Sequence, residues 1–329
     1  MLAKLKYPVI GLLALGFIAS IIFSVLWSFT PGQFDINQNA STLASQYDHK
    51  AVRGSATTGA MITTMETLLE KPGGFITNDI GIPGIWLDNI KNWEYGALLF
   101  GRDMAKAMRD VMSRSQSQSQ EDPALAKAEP YLNFANDSWI FPASESEYRK
   151  SIKFFQDYLK RLGDQDSSNA QFYSRADNLE RYLLTVESRL GSLSQRLSAS
   201  VGKERINTDL AGESEARQST SAPTQMIVKT PWLEIDDVFY EAKGSAWALI
   251  HYLKAIEIDF AEVLQKKNAR ISIKQIIREL EATQHTLISP MVMNGGGFSI
   301  FANHSLVMAN YISRANAAII DLRLLLDNG

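Results

Sequence analysis

Cysteine is absent from all 329 residues. That excludes disulfide staples, thiolate nucleophiles and cysteine metal centres, whatever the compartment. Histidine is scarce: His49, His251, His285 and His304 are the four present. They form no His-Glu-x-x-His sequence, and Glu281 with His285 makes a single i, i+4 pair. A dinuclear bundle site needs two Glu-x-x-His units and two further carboxylates, so no metal is expected. Positive charge is not in excess either, with 33 Lys and Arg against 36 Asp and Glu and a net charge of −3. Such a surface is unsuited to displacing counterions from nucleic acid. The glycine fingerprints for phosphate are missing. "NGGGF" (294–298) has neither spacing and follows no strand, and no Gly-x-Ser-x-Gly elbow occurs. No cofactor is expected.

One further absence is local. No charge falls between Lys6 and Asp35, across "YPVIGLLALGFIASIIFSVLWSFTPGQF". As a helix, Val9 to Phe29 extends roughly 31 Å at about 1.5 Å per residue, which matches a hydrocarbon core. Trp27 and Phe29 occupy the place of an interfacial aromatic anchor, and Pro31-Gly32 ends the helix. A cleaved signal peptide has a shorter apolar region and a small-residue cleavage site. Here the far end is the bulky "VLWSF", which favours an uncleaved anchor. Lys4 and Lys6 should stay in the cytoplasm by the positive-inside rule. The expected order is a cytoplasmic tail (1–8), a transmembrane anchor (9–30), and a body in the periplasm of a bacterial inner-membrane protein. A tail this short cannot hold a signalling domain.

Beyond the anchor, apolar residues recur at gaps of three and four, the spacing that keeps a stripe on one helix face. Phe172, Ala176, Leu179, Leu183, Val186, Leu190, Leu193 and Leu197 form one series. Phe239, Ala242, Ala246, Leu249, Leu253, Ile256, Phe260 and Val263 form another. Shorter series run through 148–162, 273–287 and 308–326, with weaker ones at 61–68 and 97–111. The spacing predicts an all-α fold, an elongated multi-helix bundle with long antiparallel helices. "QMIVKT" (225–230) is the one short strand candidate. Polar or Gly/Pro-rich breaks fall at 70–86, 113–123 and 294–298. The stretch 202–225 has almost no apolar residues and reads as a mobile loop. It separates a first helical half (33–201) from a second (226–329), though helices could pack across it. "PYLNFANDSWIF" from Pro130 and "PWLEIDDVFYEA" from Pro231 form a faint echo, too weak to define a repeat.

The densest chemistry lies in "IDDVFYEAKGSAWAL" (235–249). Asp237 and Glu241 are one turn apart on one helix face, and Glu234 and Asp236 add to the local negative field. Four such acids could hold a divalent cation or supply a paired acid and base. The structural reading is stronger: Asp236 or Asp237 caps a helix and suits its dipole, while Phe239, Ala242, Ala246 and Leu249 enter the core. Lys243 is expected in solvent. Gly244 and Ala246 leave room for Trp247 or a neighbouring helix. Ser144 and Glu147 have the spacing of a capping box, and His251 reads as half-buried and hydrogen-bonded. Trp86, Trp93, Trp139 and Trp232 fall in or beside irregular segments. There they either line a contact for a partner or pin loops onto the bundle ends.

Several stretches together resemble an uncharacterised family of proteobacterial single-pass membrane proteins, a domain of unknown function. They are "LLEKPGGFITND", "NWEYG", "SRSQSQSQEDPALAKAEP", "NDSWIFPASESEYR", "QFYSRADNLERYL", "RLGSLSQRLSASVG", "PWLEIDDVFYEAKGSAWAL" and "IIRELEATQ". The resemblance implies an inner-membrane anchor with a helical periplasmic region and brings no catalytic residues. The expected function is a tethered adaptor or scaffold that binds another envelope protein and has no catalysis of its own. The alternatives are an envelope hydrolase using the 234–241 carboxylates, or a small-molecule-sensing bundle acting through a separate partner. Oligomeric state is not legible.

Overall fold

The computed structural model describes residues 2–114, 120–164, 166, 169–206, 225–287, 289, 291–296 and 300–328. Eleven helices carry the described fold: α1 (Leu2–Trp27), α2 (Ile36–Ser45), α3 (Ser55–Glu70), α4 (Asp88–Ala107), α5 (Leu125–Leu132), α6 (Ser144–Leu162), α7 (Ala176–Ser198), α8 (Ile235–Asp259), α9 (Ala261–Lys266), α10 (Arg270–Ala282) and α11 (His304–Asn328). A two-stranded antiparallel ribbon, β1 (Lys203–Ile206) with β2 (Gln225–Val228), follows α7. Residues 207–224, most of the polar stretch assigned to a mobile loop, lie outside the described residues. The all-α bundle is what the stripe spacing predicted.

The stripes become the core because a 3.6-residue period places them on one face. Leu179, Leu183, Val186, Leu190, Leu193 and Leu197 are all buried on α7. On α8 burial is nearly complete all round, from Ala242 through Leu253, which makes it the central helix. Its stripe breaks at Phe260, where α8 gives way to α9, and Phe172 packs in the core from the segment before α7. α4 ends in a π-helical turn, Met108–Met112.

Two glycines set the closest approach in the bundle. A Cβ on Gly96 of α4 would lie 2.0 Å from the Glu241 carbonyl oxygen, and one on Gly244 of α8 would lie 1.9 Å from that of Trp93. The helices touch backbone to backbone, which only glycine permits. The Trp93 and Trp247 rings pack 5.0 Å apart beside this crossing.

Side-chain pairs fix helix direction. Asn92 meets Asp237 while Gly96 meets Glu241, so α4 and α8 run the same way. Arg189 binds Asp103 and Arg196 binds Glu241, so α7 runs opposite to both. Thr57 binds Asp259 and the Tyr252 hydroxyl reaches Met61, which places α3 antiparallel to α8. α10 runs against α8 through Lys254–Glu281 and Lys274–Glu257, and α11 runs against α7 through Arg323–Glu180. One end of the bundle therefore gathers the starts of α4, α6, α8 and α11 with the exits of α3, α7 and α10.

α1 leaves from that end. The strap from Ser28 to Asp35 lies along α8: Phe34 N–H donates to His251 Nε2 (3.1 Å), and the Trp247 indole donates to Gly32 O (3.0 Å). The chain thus climbs toward the start of α8, and Trp27 packs against Gly73 just beyond α3. α1 itself makes little contact with the body: its window Ile10–Trp27 has a mean hydropathy of 2.4 and is 6% buried.

Three local expectations are corrected. The Ser144 hydroxyl donates to Ala135 O (2.7 Å) and Ser138 O (2.9 Å), and Glu147 pairs with Lys150, so no capping box forms. Lys243 is buried, with Nζ 3.5 Å from His285 O. His251 is wholly enclosed, its Nδ1–H donating to Trp247 O and its ring stacked 4.0 Å from Phe34.

Candidate functional site

The four acids nominated from the sequence do not act as one group. Glu241 is buried and bound bidentately by Arg196, at 2.6 and 2.5 Å. That pair ties α7 to α8 and satisfies both partners. Glu234 is exposed in the turn before α8, while Asp236 and Asp237 occupy its first turn. Asp88, at the start of α4, joins these two; sequence reading missed it because the approach depends on how α4 lies against α8. Asn92 Nδ2 donates to Asp237 Oδ1 at 2.6 Å.

Burial and charge crowding act together here. Partial burial, then Asp236, Asp88 and Glu234, push the Asp237 carboxyl up to about 6. Burial also raises Asp236, aided by Asp88. Each shift follows from desolvation of a charge beside like charges. Among the described residues no group of three His, Asp or Glu side chains is placed to hold a metal ion.

The four tryptophans divide differently. Trp93 is wholly buried on α4, and its indole N–H finds no acceptor among the described residues. Trp86, Trp139 and Trp232 are each more than half exposed, with Trp232 at 72%. All three belong to the end from which α1 leaves. Trp86 closes the short helical turn before α4, and Trp232 opens the one before α8.

Trp139 is placed by a stitch between two loops. The Asn78 amide donates to Ser138 O and Glu145 Oε2, both at 2.8 Å, joining the 72–87 loop to the 133–143 loop. The first loop is itself bolted to α4. Glu94, buried, accepts from Ile76 N (2.9 Å), Thr77 N (2.8 Å) and Thr77 Oγ1 (2.5 Å), and pairs with buried Lys71 at 2.5 Å. Burial pushes the Glu94 carboxyl up, while Lys71 and these donors oppose it.

Other apolar side chains stand exposed on the same end, chiefly Phe141, Leu233 and Ile300. Phe141 is 92% exposed and Ile300 99%. Phe141 also adopts φ 49°, a left-handed conformation that costs a non-glycine residue about 1–3 kcal/mol. Asn294 Nδ2 donates to Ser200 O (3.0 Å), which brings the segment before α11 to this end as well. The sequence did carry a signal for these residues. They are apolar, yet belong to no stripe.

Fold and surface together define an all-α bundle with one apolar N-terminal helix and an apolar cap at the end where that helix departs. The chain belongs to a family described as an uncharacterised protein conserved in bacteria (DUF2333), whose model matches residues 3–329. No curated protein and no solved structure matches it.

Proposed function

We propose that the protein is a single-pass inner-membrane protein whose helical body stands on the periplasmic side and binds another envelope component, as an adaptor or scaffold without catalysis of its own. The observation that carries this reading is α1, an 18-residue apolar window that is 6% buried against a body whose own stripes are closed. A helix so exposed needs a non-aqueous surrounding. The orientation rests on Lys4 and Lys6, in the first turns of α1 ahead of its apolar window. The groove of about 540 Å³ between α4 and α7, lined by Leu184, Ser188, Arg189 and Arg196, offers a lateral face for the partner.

The test has two parts. The chain should resist alkaline extraction from membranes, and a reporter fused after Gly329 should be active only outside the cytoplasm. Crosslinking in intact cells should then join the body to a defined envelope protein. A soluble, cytoplasmic body would end the reading. A second reading, an envelope hydrolase, draws on Asp237, whose carboxyl is held at about 6, a range suited to proton donation. It requires that Asp237→Asn abolish an activity on a cell-wall polymer that the unaltered chain possesses.

A further inference from the structure

We infer that the apolar end of the body is seated in the lipid interface around α1, with Trp86, Trp139, Phe141, Trp232, Leu233 and Ile300 inserted at the headgroup boundary of a zwitterionic bilayer. This rests on the reading of α1 as a membrane anchor.

Continuity is the first argument. Trp27 packs on Gly73, at the root of the loop that carries Trp86. From Phe34 to Gly32 the strap moves toward the start of α8, and α1 is joined to the chain at that rising end. Trp27 lies at the level of Glu94 and the Lys71 turn, because the Gly73 loop is fastened there. The tips at Trp86 and Trp232 stand at the turns that open α4 and α8, and so lie beyond that level at the end from which α1 leaves. Lipid is therefore the neighbour that α1 itself brings to this face.

Chemistry is the second argument. Indole rings favour the membrane–water boundary, where an apolar body meets a polar rim, and Phe, Leu and Ile favour the region just beneath. All six side chains are exposed; Trp86, Trp232 and Leu233 stand on the turns that open α4 and α8, and Trp139 and Phe141 on the loop stitched to Asn78. Charge decides the kind of lipid. Asp88, Glu234, Asp236 and Asp237 sit among these residues, so an anionic surface repels the end that the apolar side chains favour. A basic patch would have reversed that choice.

The absence of native cysteine permits a clean experiment. Trp139→Cys, Phe141→Cys, Leu233→Cys and Ile300→Cys each create one labelling site in the full chain. Leu15→Cys on α1 and Glu262→Cys at the opposite end serve as references. Spin-labelled variants, checked for native helicity by circular dichroism, are reconstituted in phosphatidylcholine liposomes. Collisions with oxygen are compared with those of a water-soluble nickel complex.

The expected result is an oxygen-to-nickel ratio several-fold higher at all four sites than at Glu262, with the Leu15 site deeper still. Replacing part of the lipid with phosphatidylglycerol should lower the ratio at the four sites. If Leu15 reads deep while the four read like Glu262, seating is wrong and the anchor reading stands. If Leu15 also reads aqueous, both fall. If the four sites are aqueous in liposomes but protected in native membranes, a protein covers this end and the proposal is overturned.

Discussion

His251 and Asp237 tie the stability of the body to pH with opposite signs. Burial holds the His251 imidazole down at about 4, against 6.5 in an unfolded chain. As pH falls through that window the unfolded state takes up a proton that the native state refuses, so stability is lost. Asp237 behaves the other way: held at about 6 against 3.8, its stabilising contribution is present at low pH and is lost as pH rises from about 3.8 to about 6. Chemical unfolding of the full chain in detergent, followed by circular dichroism across pH 4–7, separates the two. His251→Asn should flatten the acid-side loss and lower stability at neutral pH by about 1–3 kcal/mol, since Phe34 N–H loses its acceptor. Asp237→Asn should raise neutral-pH stability, by no more than about 1 kcal/mol once solvent screening is allowed for. Neither shift was legible in the sequence. Burial comes first in each and depends on packing, with Phe34 stacked on His251 and Asp88 brought to Asp237 from far along the chain; only the contributions of Asp236 and Glu234 lie in the local sequence.

Single glycines decide how the elements meet. Gly244→Ala would drive a methyl to 1.9 Å from the Trp93 carbonyl oxygen, and should destabilise by about 1–3 kcal/mol or more as α4 and α8 part. Gly191→Ala on α7 has nothing nearer than 3.6 Å and should stabilise by roughly 0.5–1 kcal/mol. Opposite changes in the denaturant midpoint would verify the pair; a loss of equal size at both would refute the packing. The need for room at Gly244 was readable from "KGSAW", and the long helices were readable because their stripes run for five turns or more. α2 and α5 were not. α2 is a ten-residue helix of mostly small and polar residues, and α5 is eight residues long with Pro130 inside it. Glu94 was equally hidden, since a glutamate on an amphipathic helix reads as solvated until the 72–87 loop folds over it. Glu94→Gln leaves Lys71 buried beside a neutral partner and should cost about 3–5 kcal/mol. Hydrogen exchange should show the loss first at Ile76 and Thr77.

Across the whole molecule, the two halves divided by the polar stretch interlock. Arg196–Glu241 and Arg323–Glu180 bridge residues on either side of it, and α7 packs along α11 as well as against α4 and α8. Cutting the chain at a protease site inserted within 207–224 should leave both pieces comigrating on gel filtration and melting in one transition. Pieces that separate would show that the halves are independent. Composition alone disclosed the break but not the interlock, because ion pairs between residues more than 40 apart leave no local trace. The three exposed tryptophans were visible as aromatics outside any stripe. That they share one end with α1 required the helix directions.

The strap after α1 is fastened at mid-height on the central helix, through Trp247 and His251, and not at the tip of the body. A body held this way is a fixed post and not a float on a string. Its tilt is set by the core, and its far end stands only as high as α8 is long, roughly 40 Å at about 1.5 Å per residue. In the proposed single-pass arrangement a partner meets the body no higher than that, and any tug on α1 is delivered straight into the middle of the fold.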